Sequence, residues 1–216
     1  MKTEIIIIGA GGHALSVADA IYSTKNLGIK GFVDSKRKGD SIHEIGVFEN
    51  IQDIEGYKEY LYCVAIGDNY LREKVSVELI KEFPGISFTS IFHHSAYISP
   101  FAKVATGSVV LGNAFVGPNS NIGEGCIINT GAVVDHECIL GNFSSLGPNS
   151  TLGGGVRIGN RSVVALGASV KHNQTIGNDS ILGANSYANN DIENNSIFYG
   201  TPAKFIRARN PKEKYL

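Results

Sequence analysis

An aliphatic residue recurs at every sixth position between residues 98 and 182, and no residue is inserted or lost along the way. A period of six fits neither the 3.6-residue repeat of a helix nor the two-residue alternation of one long strand. It predicts short strands separated by turns, with one large side chain pointing inward per strand, as in a solenoid. The repeating positions are Ile98, Val104, Val110, Val116, Ile122, Ile128, Val134, Leu140, Leu146, Leu152, Ile158, Val164, Val170, Ile176 and Leu182.

The residue four positions after each aliphatic one is small in nearly every repeat, as at Ser108, Ala132 and Ser162, and the next is often Gly. Val156 and Gln174 are the bulky exceptions. Three repeats would close one triangular coil of 18 residues, so the fifteen repeats predict five coils. With neighbouring strands about 4.8 Å apart, such a prism is roughly 24 Å tall.

A different pattern precedes the repeats. Residues 4–8, 29–33 and 60–66 are apolar runs typical of buried strands, and amphipathic or capped segments follow the first and third of them. Strands that alternate with helices predict a parallel sheet with ligands at the carboxyl ends of its strands. We therefore predict a half-Rossmann-like α/β domain over residues 1–95 and a parallel β-helix over residues 96–216.

A glycine-rich loop follows the first strand. Gly9, Gly11 and Ala14 satisfy the dinucleotide-binding fingerprint, and Asp34 stands where an acid would meet a ribose hydroxyl. The pattern predicts a nucleotide phosphate at the N-terminus of a helix, and a tight turn without a ligand is the alternative. Only half of a doubly wound fold precedes the repeats, so a mononucleotide fits better than NAD.

One corner of the predicted solenoid differs from the others. Its five stacked outward positions are Pro100, Pro118, His136, Gly154 and His172. Only this corner combines an imidazole with a glycine one coil away, at a distance of about 5 Å. A missing side chain there would let a ligand approach the backbone and would expose its N–H.

Several motifs resemble the sialic-acid and bacillosamine type sugar acetyltransferases, which are built from hexapeptide repeats. The segment 128–138, Ile-Asn-Thr-Gly-Ala-Val-Val-Asp-His-Glu-Cys, resembles their catalytic segment. Residues 9–13, 32–34 and 65–69 followed by Arg72 resemble their N-terminal domain. The resemblance implies a left-handed parallel β-helix and an N-terminal domain that binds a nucleotide-sugar. The residues implied to contact this substrate are Gly11, Gly12, His13, Asp34 and Gly67.

The same resemblance implies a chemical role for the unusual corner. His136 would be the general base for the sugar amine or hydroxyl that attacks the thioester of acetyl-CoA, and Glu137 would orient its ring. An imidazole suits this role because it titrates near neutral pH. Asn129 would bind the acceptor group, and the N–H of Gly154 would face the thioester carbonyl. A solvated turn histidine is the alternative reading of His136.

Two further positions are implied to contact the cofactor. Family members commonly carry a second histidine nine residues after the first, whereas this chain has Ser145, which can still donate a hydrogen bond. Residues 199–204 resemble the closing signature of hexapeptide acyltransferases, in which Lys204 would meet the phosphates of CoA. A solvated basic tail is an equally good explanation of Lys204.

Composition narrows the remaining choices. The net charge of −1 argues against a nucleic-acid surface, and the longest apolar run, residues 5–8, is too short to span a bilayer. The N-terminus lacks the features of a signal peptide, so a cytoplasmic location is predicted.

Cys63, Cys126 and Cys138 are predicted to be buried thiols. No metal site is predicted, because His172 would lie about 10 Å from His136 without a third ligand.

These inferences predict an acetyl-CoA-dependent N-acetyltransferase that acts on the amino group of a nucleotide-linked 4-amino-deoxysugar. The resemblance and the flat sides of the prism also predict a homotrimer. The alternatives are O-acetylation of a sialic acid, a non-catalytic solenoid that binds a nucleotide-sugar, and an NAD-dependent enzyme, which would depend on the glycine-rich loop alone.

Overall fold

The N-terminal part of the computed structural model, which describes residues 2–214, is a six-stranded sheet with the strand order β3-β4-β2-β1-β5-β6. Helices α1 (Gly12–Tyr22) and α2 (Asn69–Glu82) follow β1 and β5, and two short 3-10 turns span Ile51–Asp53 and Tyr57–Glu59. The strands are β1 (Thr3–Ile8), β2 (Leu27–Val33), β3 (Ser41–Ile42), β4 (Ile45–Phe48), β5 (Leu61–Val64) and β6 (Ser87–Phe88).

The central strand explains this topology. β1 pairs in parallel with β2 on one side and with β5 on the other. Ile5, Ile6 and Ile7 are fully buried, as expected of a central parallel strand that is covered on both faces. The carboxylate of Asp68 caps α2 by accepting the Leu71 N–H at 2.8 Å. The strand and helix order predicted from the sequence is therefore confirmed, with the additional β3–β4 hairpin at one edge.

Residues 91–188 form a left-handed parallel β-helix of two-residue strands, as predicted. Its strands are β7 (Ile91–Phe92), β8 (Tyr97–Ile98), β9 (Lys103–Val104), β10 (Val109–Val110), β11 (Phe115–Val116), β12 (Asn121–Ile122), β13 (Ile127–Ile128), β14 (Val133–Val134), β15 (Ile139–Leu140), β16 (Ser145–Leu146), β17 (Thr151–Leu152), β18 (Arg157–Ile158), β19 (Val163–Val164), β20 (Ser169–Val170), β21 (Thr175–Ile176), β22 (Ile181–Leu182) and β23 (Tyr187–Ala188). The first of them lies before the predicted domain boundary at residues 95 and 96.

Each solenoid strand from β7 to β20 pairs with the strand 18 residues later, so every third strand falls on the same face. The first face contains β7, β10, β13, β16, β19 and β22, the second face contains β8, β11, β14, β17, β20 and β23, and the third contains β9, β12, β15, β18 and β21. Two longer strands, β24 (Ser196–Gly200) and β25 (Ala203–Ala208), form an antiparallel hairpin that extends the first face.

Inward side chains fill the prism, and the repeating aliphatic residues from Val110 to Leu182 are almost completely buried. The small inward residues also satisfy the turns. Ser108, for example, donates from its hydroxyl to the Gly123 carbonyl at 2.8 Å. The three cysteines are buried free thiols, and burial raises the pKa of Cys63 to about 12.

The first face of the solenoid is covered by the N-terminal domain. Ile91, Val109 and Leu111 join the same buried cluster as Ile5 of β1 and Val17 of α1. This contact leaves the second and third faces open. Among residues 2–214, neither helix has the length and apolar character that crossing a bilayer requires.

Candidate active site

His136 lies at the corner between the second and third faces, in the turn from β14 to β15. Its Nδ1 is 2.9 Å from Glu137 Oε2, and its side chain is 54% exposed. Because an ionised carboxylate can only accept hydrogen bonds, this contact places a proton on Nδ1. In the neutral ring Nε2 is then the basic nitrogen. The pair therefore presents a solvent-accessible proton acceptor.

Gly154 lies directly under this imidazole. A Cβ added at Gly154 would be 2.5 Å from both Cε1 and Nε2 of His136. The sequence pattern predicted a gap for a ligand at this position, but the imidazole ring itself occupies part of that space. Among residues 2–214 the Gly154 N–H has no hydrogen-bond acceptor, whereas the Gly155 N–H donates to the His136 carbonyl at 2.9 Å. The glycine thus provides both room for the ring and an available donor beside it.

Substitution of Gly154 by alanine is expected to displace the His136 ring and to leave the solenoid folded, because the obstructing atoms belong to the end of an exposed side chain. A displacement of about 1 Å can reduce a rate by roughly 10²-fold. Steady-state assays of acetyl transfer and a thermal melt would measure the two effects. Full activity in a folded Gly154→Ala protein would contradict the proposed ring position.

A cavity of about 370 Å³ lies at a different place, between α1 and the corner that joins the first and second faces. We call it the inter-domain cleft. It brings together five of the residues that the sequence singled out and seven others. The lining residues are Gly12, His13, Ser16, Gly67, Ile127, Asn129, Ser145, Leu146, Gly147, Pro148, Val163 and Leu166.

The glycine-rich loop gives this cleft access to the N-terminus of α1. Gly11 is the N-cap residue and Gly12 begins the helix. A Cβ at either position would meet no atom within 4 Å, so the space in front of the first helical N–H groups is open. Helix N-termini attract anions through these unpaired N–H groups and the helix dipole. The geometry suits a phosphate group at this end of the cleft.

His13 is held neutral beside this helix end. Its Nε2 is buried and has no hydrogen-bond partner among the residues that the structure describes. Burial, with a smaller contribution from the Arg72 charge, lowers the pKa of His13 to about 4. A neutral imidazole with an unpaired nitrogen can form one hydrogen bond with a ligand, but it carries no positive charge to attract a phosphate.

The depressed pKa of His13 predicts a loss of stability in mild acid. The unfolded state binds the proton near pH 6.5 and the folded state only near pH 4, so stability decreases as the pH falls through this window. The full effect is on the order of 3 kcal/mol. Chemical denaturation at several pH values should show this loss in the wild type and not in a His13→Asn variant. Substitution of the exposed His94 is the control. If the His94 substitution removes the same pH dependence, His13 is not its source.

Asp34 lies at the carboxyl end of β2, next to the glycine-rich loop. Its carboxylate accepts the Ala10 N–H at 3.1 Å and the Lys36 N–H at 3.0 Å. Arg37 also reaches this loop by donating to the Ala10 carbonyl. Asp34 therefore fixes the loop conformation, and the sequence-based prediction that it contacts the nucleotide stays a prediction.

Ser145 belongs to a buried network between the domains. Its hydroxyl donates to Asn69 Oδ1 at 2.6 Å and accepts from Arg72 Nη2 at 3.2 Å. Arg72 is 1% exposed and also donates to the carbonyls of Gly125 and Phe143 on the solenoid. Ser145 thus lines the inter-domain cleft but lies on a different face from His136. Its predicted role in cofactor binding stays a prediction.

No role in the functional site was predicted from the sequence for Asn69 or Arg72. Arg72 additionally holds the carbonyls of Ile66 and Gly67, at 2.9 and 3.0 Å, and so fixes the loop that forms one wall of the cleft. A signal was present, because the buried residues of α2 are the polar Asn69, Arg72 and Ser76, at helical spacing. A polar buried stripe of this kind indicates a hydrogen-bonded interface rather than an apolar one.

Within one chain, His136 and the inter-domain cleft do not meet. Asn129 and His136 are on adjacent corners, separated by the whole strand β14. Each side of the prism contains one six-residue repeat, which spans at most roughly 20 Å when fully extended. Lys204 is exposed on β25 and lines neither the cleft nor the His136 corner. Among residues 2–214 no group of three or more metal-ligating side chains is present.

Residues 4–79 match the family model of the PglD N-terminal domain. PerB from Caulobacter crescentus, solved with CoA and GDP-perosamine, is 33% identical over 94% of this chain and 97% of its own, with a TM-score of 0.88. The chain belongs to the hexapeptide-repeat nucleotide-sugar N-acetyltransferase family. This confirms the resemblance indicated by the motifs in both domains.

Two further proteins are similar to this chain. The acetyltransferase domain of PglB from Neisseria gonorrhoeae, solved with acetyl coenzyme A, is 30% identical over 95% of this chain and all of its own, with a TM-score of 0.88. An uncharacterized protein of Acanthamoeba polyphaga mimivirus is 30% identical over 120 residues. The match spans 56% of this chain but only 24% of that protein.

Proposed function

We propose that this protein transfers the acetyl group of acetyl-CoA to the amino group of a nucleotide-linked 4-amino-deoxysugar, in the synthesis of a surface glycan or glycoprotein sugar. The observation that carries the proposal is the full-length similarity to PerB, whose structure contains CoA and GDP-perosamine. The open helix N-terminus in the inter-domain cleft supports it, because a nucleotide diphosphate needs such an anion site.

In the proposed reaction, Nε2 of His136 accepts a proton from the sugar amine as the amine nitrogen forms a bond to the thioester carbonyl carbon. The carbon–sulfur bond then breaks, and the CoA sulfur leaves with the transferred proton. Glu137 stabilises the imidazolium that forms between these events, through its 2.9 Å contact with Nδ1. The Gly154 N–H donates to the developing oxyanion.

A polar cavity of about 340 Å³ beside Glu137 fits the position of CoA in this scheme. It lies on the same corner as His136 and is lined by Glu137, Gly155, Arg157, Asn173 and Thr175. Arg157 offers a positive charge for a phosphate group there. When bound, acetyl-CoA would supply the activated acetyl carbon, and Arg157 would hold its charged part. Lys204 is too exposed to be assigned to this cavity on geometry.

We further propose that the protein is a homotrimer in which two chains complete each site. The cleft of one protomer and His136 of the next would then meet across the second face. One end of this face has an apolar outer surface, since Tyr97 is 53% exposed and its ring stacks on Phe115 at 5.2 Å. Burial of such a patch between copies would stabilise the assembly.

Mixed oligomers test this arrangement. A His136→Ala chain keeps a normal cleft, and an Asn129→Ala chain keeps a normal base. We expect each variant alone to be impaired and a mixture refolded or expressed together to regain part of the activity. Recovery requires that the base and the cleft of one site come from different chains. Variants that stay inactive in verified mixed trimers would contradict the shared site.

The acceptor is identified by release of the free CoA thiol. Acetyl-CoA should react with one or more of the UDP-, dTDP- and GDP-linked 4-amino sugars and not with free sialic acids. The mass of the product should increase by one acetyl group, and an amide N–H signal in its NMR spectrum would identify nitrogen as the acetylated atom. Turnover of a sialic acid without turnover of any amino sugar would instead establish an O-acetyltransferase.

A further inference from the structure

A second cavity, of about 450 Å³, adjoins the inter-domain cleft along α1. We call it the side cavity. Ser16 lines both cavities, and Thr130 of the side cavity follows Asn129 of the cleft directly in the chain. The two cavities therefore form one groove that begins at the N-terminus of α1 and continues along the exposed side of the helix.

The side cavity contains the one charged side chain among the residues that line this groove. Asp19, on α1, is 81% exposed, and none of the other lining residues of either cavity is Asp, Glu, Lys or Arg. A ligand in the groove thus meets an anionic hydrogen-bond acceptor at the side-cavity end and helix N–H donors at the other end.

His93 faces Asp19 across the side cavity, and its surroundings fix its tautomer. The Ser95 N–H donates to His93 Nδ1 at 3.1 Å, and Ser95 Oγ lies 2.8 Å from the same nitrogen. Ser95 Oγ also accepts the Asn113 N–H at 3.0 Å, which leaves its own proton directed at Nδ1. Because Nδ1 is an acceptor, the ring proton of neutral His93 is on Nε2.

The Nε2–H of His93 and the Asp19 carboxylate are complementary, as donor and acceptor, to a ligand hydroxyl group. His93 Nε2 is 3.8 Å from Asp19 Oδ2, which exceeds the length of a direct hydrogen bond. The pair therefore presents one donor and one acceptor side by side. A hydroxyl accepts one hydrogen bond and donates one, so it satisfies both groups, whereas an ammonium group can only donate.

We infer that the side cavity is a second subsite of the groove, which binds a hydroxyl group of the sugar unit of the nucleotide-sugar. The inference depends on the proposed function for the identity of this ligand. Gly12 and Asp19 are roughly 10 Å apart along the helix axis, at 1.5 Å per residue. A diphosphate and the hexose attached to it have about this length together, so a phosphate at the helix N-terminus would allow a sugar hydroxyl to reach Asp19. Asp19 and His93 are then specificity-determining residues for the sugar.

Equilibrium binding tests this subsite independently of catalysis. Calorimetry would compare UDP- and GDP-linked 4-amino-4,6-dideoxyhexoses with UDP and GDP alone, in the wild type and in Asp19→Asn. We expect the sugar unit to increase affinity in the wild type and Asp19→Asn to lose about tenfold in affinity for the nucleotide-sugar, with UDP and GDP binding unchanged. Glu78→Gln removes a similarly exposed carboxylate outside both cavities and should change neither value.

Three results would overturn the inference. They are an unchanged affinity of Asp19→Asn for the nucleotide-sugar, an equal loss for the nucleoside diphosphates, and a wild type that gains no affinity from the sugar unit. An unchanged melting temperature verifies that Asp19→Asn is folded. If the wild type binds the nucleotide-sugar as expected but releases no CoA from acetyl-CoA, the acetyltransferase proposal fails and the subsite stands.

Discussion

Replacement of His136 by alanine is expected to lower kcat for acetyl transfer by a factor of about 10² to 10⁴, the usual contribution of a positioned general base. The KM values for both substrates should change little, because the imidazole acts on the reacting proton. The exposed position at a solenoid corner means that the substitution removes no core packing. Release of the CoA thiol at saturating substrate concentrations measures the effect.

His172 offers a matched control for this experiment. It occupies the same corner two coils later and is also exposed, so His172→Ala makes the same chemical change without touching the proposed base. We expect His172→Ala to retain activity. A Glu137→Gln variant should have an intermediate rate, because the amide can still hold the ring but stabilises the imidazolium less. Retention of full activity by His136→Ala would exclude this histidine as the base.

Replacement of Arg72 by methionine is expected to destabilise the protein by about 3 to 5 kcal/mol, because several buried acceptors lose their donor and each costs about 1 to 3 kcal/mol when unsatisfied. Methionine has a similar length but no donors. The carbonyls of Gly125 and Phe143 on the solenoid, and Asn69 Oδ1 on α2, would then lose a donor inside a buried interface. Urea unfolding monitored by circular dichroism gives the change in free energy.

Lys74→Met on the exposed side of the same helix is the matched control. Lys74 makes only a 3.7 Å ion pair with Glu78, and exposed pairs of this kind contribute about 0 to 1 kcal/mol. Arg72→Lys should fall between the two variants, since it keeps the charge but not the several directed donors. If Arg72→Met unfolds at the same urea concentration as Lys74→Met, the network does not hold the domains together.

The solenoid could be predicted because its determinants are local and periodic. The place of a residue in the six-residue unit determines whether its side chain points inward, from Val110 onwards. The pairing of Val110 with Ile128 follows from the 18-residue length of one coil. The α/β domain was also predictable, because β1 is a continuous aliphatic run and the glycine-rich loop marks the start of α1. The β3–β4 hairpin lacked such a signal, since its strands are only two and four residues long and each contains a single buried residue.

The site was predictable only in part, for a physical reason. The pairing of His136 with Gly154 depends on the coil repeat and could be read from spacing. The packing of α2 on the solenoid depends on contacts between distant segments, such as Arg72 with Phe143, which no local pattern specifies. The separation of His136 from the inter-domain cleft likewise depends on which solenoid corner the N-terminal domain packs against, and the sequence does not specify that corner.

The position of His136 above Gly154 restricts how the length of this protein can vary. The two residues belong to consecutive coils, and their alignment requires 18 residues from one to the other. Because successive strand side chains point to opposite sides, gain or loss of one residue in this interval would turn the following aliphatic side chains outward. Insertions and deletions in this interval are therefore tolerated only as loops at a corner that leave the strands before and after them in the same register. Outside the interval, the solenoid can gain or lose whole coils.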